Sequence, residues 1–107
     1  MARDPSERED GGGDLAVKRE RKTQKPRLYR VIFHNDDYTT KWFVVMVLMR
    51  FFHLTETQST AFMLIVHEQG SGVIGVYTKD IAETKVSQVM DLATEYGMPL
   101  RLTAEPE

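Results

Sequence analysis

"LYRVIFHNDDYTTKWFVVMVLM", residues Leu28 to Met49, contains the change of pattern that decides the fold. Leu28 to Phe33 is rich in β-branched and aromatic side chains and reads as a strand. Trp42 to Met49 is an unbroken apolar run. Phe43, Val44, Val47, Leu48 and the following Phe51 recur there at helical spacing and are expected to face a core. Between the two lies His34-Asn-Asp-Asp-Tyr-Thr-Thr40, which puts an amide and two acids where a strand hands over to a helix. One reading of Asn35-Asp36-Asp37 is a structural turn, because Asn and Asp side chains bond nearby backbone N–H groups. The other is a binding edge, where amide and carboxylate oxygens beside a helix start accept hydrogen bonds from an ammonium group. An EF-hand is not indicated, since Gly and Glu are missing where that loop needs them. Thr39 is the expected N-cap of a helix running to about His53.

Downstream, Thr55-Glu-Thr-Gln58 fits a capping box and opens a second helix, which Gly70 would end. Gly72 to Tyr77 predicts a second strand, weakened by Gly75. Asp80-Ile-Ala-Glu83 resembles another capping box with Asp in the cap position. The helix after it would bury Ile81, Val86, Val89, Met90 and Ala93 and close at Gly97. Pro99 then precedes a short last strand, Leu100 to Thr103. The order β-α-α-β-α-β implies an α+β fold with one sheet and helices on one side.

Residues 1–26, "MARDPSEREDGGGDLAVKRERKTQKP", have another character. They alternate acids and bases, and Leu15 and Val17 are their only sizeable aliphatic residues after Met1. Such a segment cannot bury enough apolar surface to offset its ordering entropy, so a disordered extension is expected before a domain spanning 27–107. A chain of 107 residues is otherwise one small domain. The formal net charge of -2 argues against phosphate-driven nucleic-acid binding. The sequence has no cysteine, which excludes a disulfide framework and a zinc finger and suits a reducing cytosol. No signal-peptide core is visible, and the apolar run Trp42–Met49 is far short of the roughly 20 residues that span a bilayer. A soluble intracellular protein is expected.

His67 ends the apolar run Phe62-Met-Leu-Ile-Val66. It reads either as a satisfied structural histidine or as a site residue. No second histidine completes a zinc-binding HExxH motif around it. Catalysis has little support, since there is no cysteine nucleophile, no G-x-S-x-G elbow and no phosphate-cradling glycine loop. The enzyme alternative is a metal-assisted hydrolase using Asp36, Asp37 and His67. A partner-docking domain is a further alternative.

Four stretches carry a resemblance: "LYRVIFHNDDYTT", "MLIVHEQGSGVIGVYT", "IAETKVSQVMDLA" and "GMPLRLT". In this order and spacing they resemble the ClpS family, bacterial adaptors for the ClpAP protease that recognise N-degrons. The resemblance covers residues 27 to about 105. It implies a three-stranded antiparallel sheet packed against three helices. It also implies a cytoplasmic adaptor, without catalysis, cofactor or metal, for polypeptides whose first residue is Leu, Phe, Tyr or Trp. The partner it implies is the N-terminal domain of a ClpA-type unfoldase. By position, Asn35, Asp36 and His67 would contact the free α-amino group, while Asp37 would organise the loop. Thr39, Lys41, Val44, Met63 and Leu100 would line the pocket for the first side chain. Asp80, Glu83 and Lys85 would face the unfoldase, and the N-terminal extension would take part in delivery.

The chain departs from the family pattern after NDDYT and again farther along the same helix. The family usually follows NDDYT with Pro-Met-Glu, whereas Thr40-Lys41-Trp42 stands here. Proline in the first turn and a capping Glu are therefore absent, and Lys41 replaces the Met that gates the pocket in relatives. A more open rim is expected. Trp42, Met46 and Met49 form an i, i+4, i+7 stripe where relatives often carry polar residues. That stripe either widens the buried face or provides an extra contact surface.

Overall fold

The computed structural model describes residues 25–107. The expected extension, apart from Lys25 and Pro26, lies outside the described residues. The elements are β1 (Leu28–His34), α1 (Lys41–Phe52), α2 (Glu56–Gln69), β2 (Ser71–Thr78), α3 (Lys79–Glu95) and β3 (Arg101–Pro106). This is the expected β-α-α-β-α-β order. The strands form one antiparallel sheet in the order β2-β1-β3.

β1 is central, and its Val31 and Phe33 are fully buried with Phe43, Val47, Leu48 and Val89 from the helices. The Phe33 ring meets Phe52 and Phe62 edge-on, each at 5.6 Å between centroids, the arrangement that ring quadrupoles favour. Against β2 the register jumps from Val31↔Gly75 to Ile32↔Val73, leaving Ile74 as the extra residue of a bulge. A Cβ on Gly75 would lie 2.6 Å from the Tyr77 hydroxyl oxygen. The glycine expected to weaken this strand is what lets the Tyr77 ring fold back over it.

α1 is capped one residue later than expected. Thr40, not Thr39, is the N-cap, and its hydroxyl accepts a hydrogen bond from Phe43 N at 3.1 Å. Thr39 instead belongs to the loop, where its N–H and its hydroxyl both donate to Asp36. Lys41 thus becomes the first helical residue, and threonine supplies a side-chain cap despite the missing Pro and Glu. The helix stops at His53, whose φ of 59° is left-handed. At its end Phe51 packs half-buried against the core as expected, and Phe52 is buried beside it.

α2 forms the predicted capping box, with Gln58 N donating to Thr55 Oγ1 at 3.1 Å and Thr55 N donating to Gln58 Oε1 at 3.0 Å. Gly70 closes it at φ 88°. α3 does not form the box expected of Asp80. It starts at Lys79 after Thr78, which makes no side-chain cap bond, and Asp80 sits inside the first turn, near the positive end of the helix dipole. The buried stripe runs through Ala82, Val86, Val89 and Ala93, so Ile81, about 100° away on the helix, is left 49% exposed.

β3 begins one residue later and ends three residues later than expected, because the open edge of β1 supplies backbone partners from His34↔Arg101 to Tyr29↔Pro106. Trp42 and Met49 stay outside, 61% and 42% exposed, and only Met46 of that stripe packs on the core. The stripe therefore does not simply widen the buried face.

Candidate functional site

Asp36 builds the loop between β1 and α1. Its Oδ1 accepts Tyr38 N at 2.8 Å and Thr39 N at 2.7 Å, and its Oδ2 accepts the Thr39 hydroxyl at 2.7 Å. Partial burial pushes the Asp36 carboxyl up. The bonds from the Thr39 hydroxyl, Thr39 N and Tyr38 N outweigh this and hold it below the usual carboxylate range. A carboxylate offers about four acceptor places, so one remains unused by these three bonds. The organising part expected of Asp37 thus falls to Asp36. The Asp37 side chain is exposed and makes no hydrogen bond among the described residues.

A second tie sets the loop against α2. Asn35 N donates to Gly70 O at 2.9 Å. Gly70 is the C-cap of α2, and His67 stands one turn before it. The backbone bond therefore brings the Asn35 side chain and His67 to one mouth. Below that mouth is a pocket of about 170 Å³ lined by Phe33, His34, Asn35, Asp36, Asp37, Thr39, Lys41, Val44, Met63, Val66, His67 and Leu100. Met63, Val66 and Leu100 are buried and apolar, Val44 is half-buried, and Asn35, Asp37, Lys41 and His67 are exposed. All eight residues expected from sequence at the amine site and pocket wall, from Asn35 to Leu100, meet here.

Sequence reasoning missed Phe33, His34 and Val66 as lining residues. Each is next to, or one residue from, a predicted site residue, and strand or helix phase was the available signal. His34 Nε2 lies 2.8 Å from Thr103 Oγ1, which ties the end of β1 to β3. Burial, and then the Arg101 guanidinium, lower the His34 pKa, with Glu105 opposing. Among the described residues, no three His, Cys, Asp or Glu side chains form a group that could hold a metal ion, Asp36, Asp37 and His67 included.

The residues expected to face an unfoldase lie elsewhere. Asp80 and Glu83 are exposed on α3 around a shallow depression with Thr84, Ser87 and Gln88. Thr78, which precedes α3, pairs with Leu28, whereas the pocket adjoins His34 at the other end of β1. Lys85 is half-buried, and its Nζ donates to Phe51 O at 2.8 Å. The same Nζ stands 5.2 Å from the Phe52 ring centre and 5.5 Å from that of Tyr77. Among the described residues no helix is long and apolar enough to cross a membrane.

Residues 24–103 match the family model described as ATP-dependent Clp protease adaptor protein ClpS. Among curated proteins, the ATP-dependent Clp protease adapter protein ClpS of Hyphomonas neptunium is 52% identical over 100 residues, covering 92% of this chain and 85% of the relative. The protein of the same name from Deinococcus radiodurans is 56% identical over 85 residues, covering 79% and 75%. Among solved structures, Agrobacterium tumefaciens ClpS2 bound to L-phenylalaninamide superimposes with a TM-score of 0.76 at 44% identity, covering 78% of this chain and all of that one.

Proposed function

The chain belongs to the ClpS family of ATP-dependent Clp protease adaptors, and on that premise we propose that it binds the first residue of polypeptides beginning with Leu, Phe, Tyr or Trp and passes them to the Clp protease. The observation that carries this reading is the convergence of Asn35, Asp36 and His67 over an apolar pocket of about 170 Å³. That is below the roughly 300–1,000 Å³ of sites for drug-sized molecules, and it suits one side chain.

The recognition follows from elementary chemistry. A protonated α-amine has three N–H donors. The Asn35 amide oxygen, the unused acceptor place of Asp36 and a ring nitrogen of His67 each accept one. The ammonium charge strengthens these bonds. Below them Val44, Met63, Val66 and Leu100 receive the side chain, and burying a Leu or Phe there contributes about 1.5–3 kcal/mol. Small or charged first residues gain little. L-phenylalaninamide, the ligand of the Agrobacterium relative, combines a free α-amine and a benzyl group, with an amide in place of the first peptide bond.

Delivery uses the other end of the sheet. Asp80 and Glu83 face the N-terminal domain of a ClpA-type unfoldase, and Lys85 holds α3 against the end of α1 beneath that surface. Residues 27–107 form the adaptor domain, residues 1–26 take part in delivery, and the protein works in the bacterial cytoplasm without catalysis of its own.

Fluorescence anisotropy with Phe-initiated peptides tests the reading. Acetylating the α-amine removes its charge and leaves the acceptors poorly matched, a cost of at least about 1–3 kcal/mol. Affinity is expected to fall tenfold or more. Equal affinity for free and acetylated peptides would refute the assignment.

A further inference from the structure

The exposed flank of α1 has a groove of about 480 Å³ that the pocket does not use, lined by Trp42, Val45, Met46, Met49, Arg50 and Glu56. We propose that this groove receives apolar side chains farther along the same bound polypeptide, so that recognition extends past the first residue. The proposal rests on the reading that the pocket takes an N-terminal side chain.

Continuity with the pocket argues for this occupant. Lys41 lines the pocket and Trp42, the next residue, heads the groove. Lys41 and Val45 are neighbours at i, i+4 on the helix surface, so one side-chain pair forms the border between the two sites. A polypeptide whose first residue fills the pocket must emerge over the rim formed by Asn35, Asp37, Lys41 and His67. On the α1 side of that rim the first surface it meets is apolar. Trp42 and Met49 lie two helical turns apart, about 10.5 Å at 1.5 Å per residue. An extended chain covers that distance in about three residues.

The apolar surface also extends beyond the groove. The Trp42 ring stands 6.3 Å from that of Tyr96, which is itself 47% exposed and prolongs the apolar surface. Arg50 and Glu56 put one charge of each sign at the groove's polar end, so no net charge repels a passing chain. The adjacency of the groove to the rim that a bound chain must cross makes the substrate's own continuation the occupant.

The test compares phenylalaninamide with eight-residue Phe-initiated peptides that carry either Leu and Met or Ser and Gly at positions three to six. Affinity is measured by calorimetry on the full chain, on Met49→Glu and on Trp42→Glu. The expected result is at least fivefold tighter binding of the Leu/Met peptide than of the Ser/Gly peptide. Either substitution should abolish that difference while leaving phenylalaninamide affinity within twofold. Equal binding of the two peptides, or a difference that survives both substitutions, overturns the proposal. So does a concentration-dependent dimer, seen by sedimentation, that Met49→Glu abolishes, because a second copy then owns the surface. Failure of phenylalaninamide itself to bind would instead strike the pocket reading, and the groove would fall with it.

Discussion

The Asp36 carboxylate accepts three hydrogen bonds from Tyr38 and Thr39 and lines the pocket, where the proposed function gives it a second task as an acceptor for the α-amine. Asp36→Asn keeps one acceptor oxygen, loses the charge and presents N–H donors where acceptors are needed. Phe-peptide affinity should drop at least tenfold while the thermal midpoint moves little, a combination calorimetry and thermal melting would check. The pH dependence has a definite sign. The folded pKa of Asp36 lies below its ordinary value, so its contribution to the loop is fully present above about pH 3.9. It is lost as pH falls through the lower folded value. Amide exchange at Tyr38 and Thr39 should therefore accelerate only at strongly acid pH. Loosening near neutral pH would contradict the assignment. Lys41, across the mouth, is the other residue of consequence. Its methylene stem can cover the pocket, but its hydrated head stays in water, so the lid proposed at this position is incomplete. Trp42 does not replace it, because its ring lines the groove beside Tyr96 instead of the pocket. Lys41→Met should sharpen the preference for Leu over Ile. A change in the Leu/Ile affinity ratio of less than about twofold, roughly 0.4 kcal/mol, would show that this position is no gate.

At the scale of elements, Lys85 joins three of them. Phe51 O is among the last carbonyls of α1, which have no partner within the helix, and a cation there also meets the negative end of the helix dipole. The Lys85 ammonium supplies that partner while standing over Phe52 of α1 and Tyr77 of β2. Lys85→Met keeps the stem and removes the donor, so stability should fall by about 1–2 kcal/mol. Glu83→Gln, on the exposed face of α3, should stay within about 0.5 kcal/mol. Urea denaturation distinguishes the two. Equal stability of both variants would mean that the Lys85 contact contributes nothing and that any delivery defect at this position is direct. The same elements show where sequence is legible. Thr55 and Gln58 announced α2 because both halves of their capping box lie within four residues. The start of α1 was misread by one residue because Thr39 and Thr40 are both competent caps, and Asp36 decides between them through its own bonds. Asp80 misled because the first turn of α3 is entered directly from the paired end of β2. The length of β3 was not visible in its own residues, since the open edge of β1 sets it.

At the scale of the molecule, the pocket was legible as a set of residues but not as a geometry. Asn35 and His67 are 32 positions apart, and the bond that joins their elements is a backbone contact, Asn35 N to Gly70 O, which no side-chain pattern announces. The sheet then separates the pocket from the α3 face proposed for the unfoldase. The pocket adjoins His34, while Leu28, six residues earlier on the same strand, pairs with Thr78 beside the start of α3. At a rise of about 3.3 Å per residue that separation is about 20 Å. Pro26 and Arg27 share a depression with Tyr29, Thr78, Lys79 and Asp80, so the described part of the chain begins at the Asp80 end of the sheet. Their composition gives them little apolar surface with which to build a pocket wall. Deleting residues 1–20 should therefore leave Phe-peptide affinity within twofold. Degradation of a Phe-initiated reporter by the Clp protease should slow several-fold, the outcome expected of the delivery role proposed for this segment. Anisotropy on the truncated protein and a reporter-degradation assay read the two ends separately. A loss of peptide affinity would place the extension at the pocket, against the geometry of β1, and undiminished degradation would make it inert.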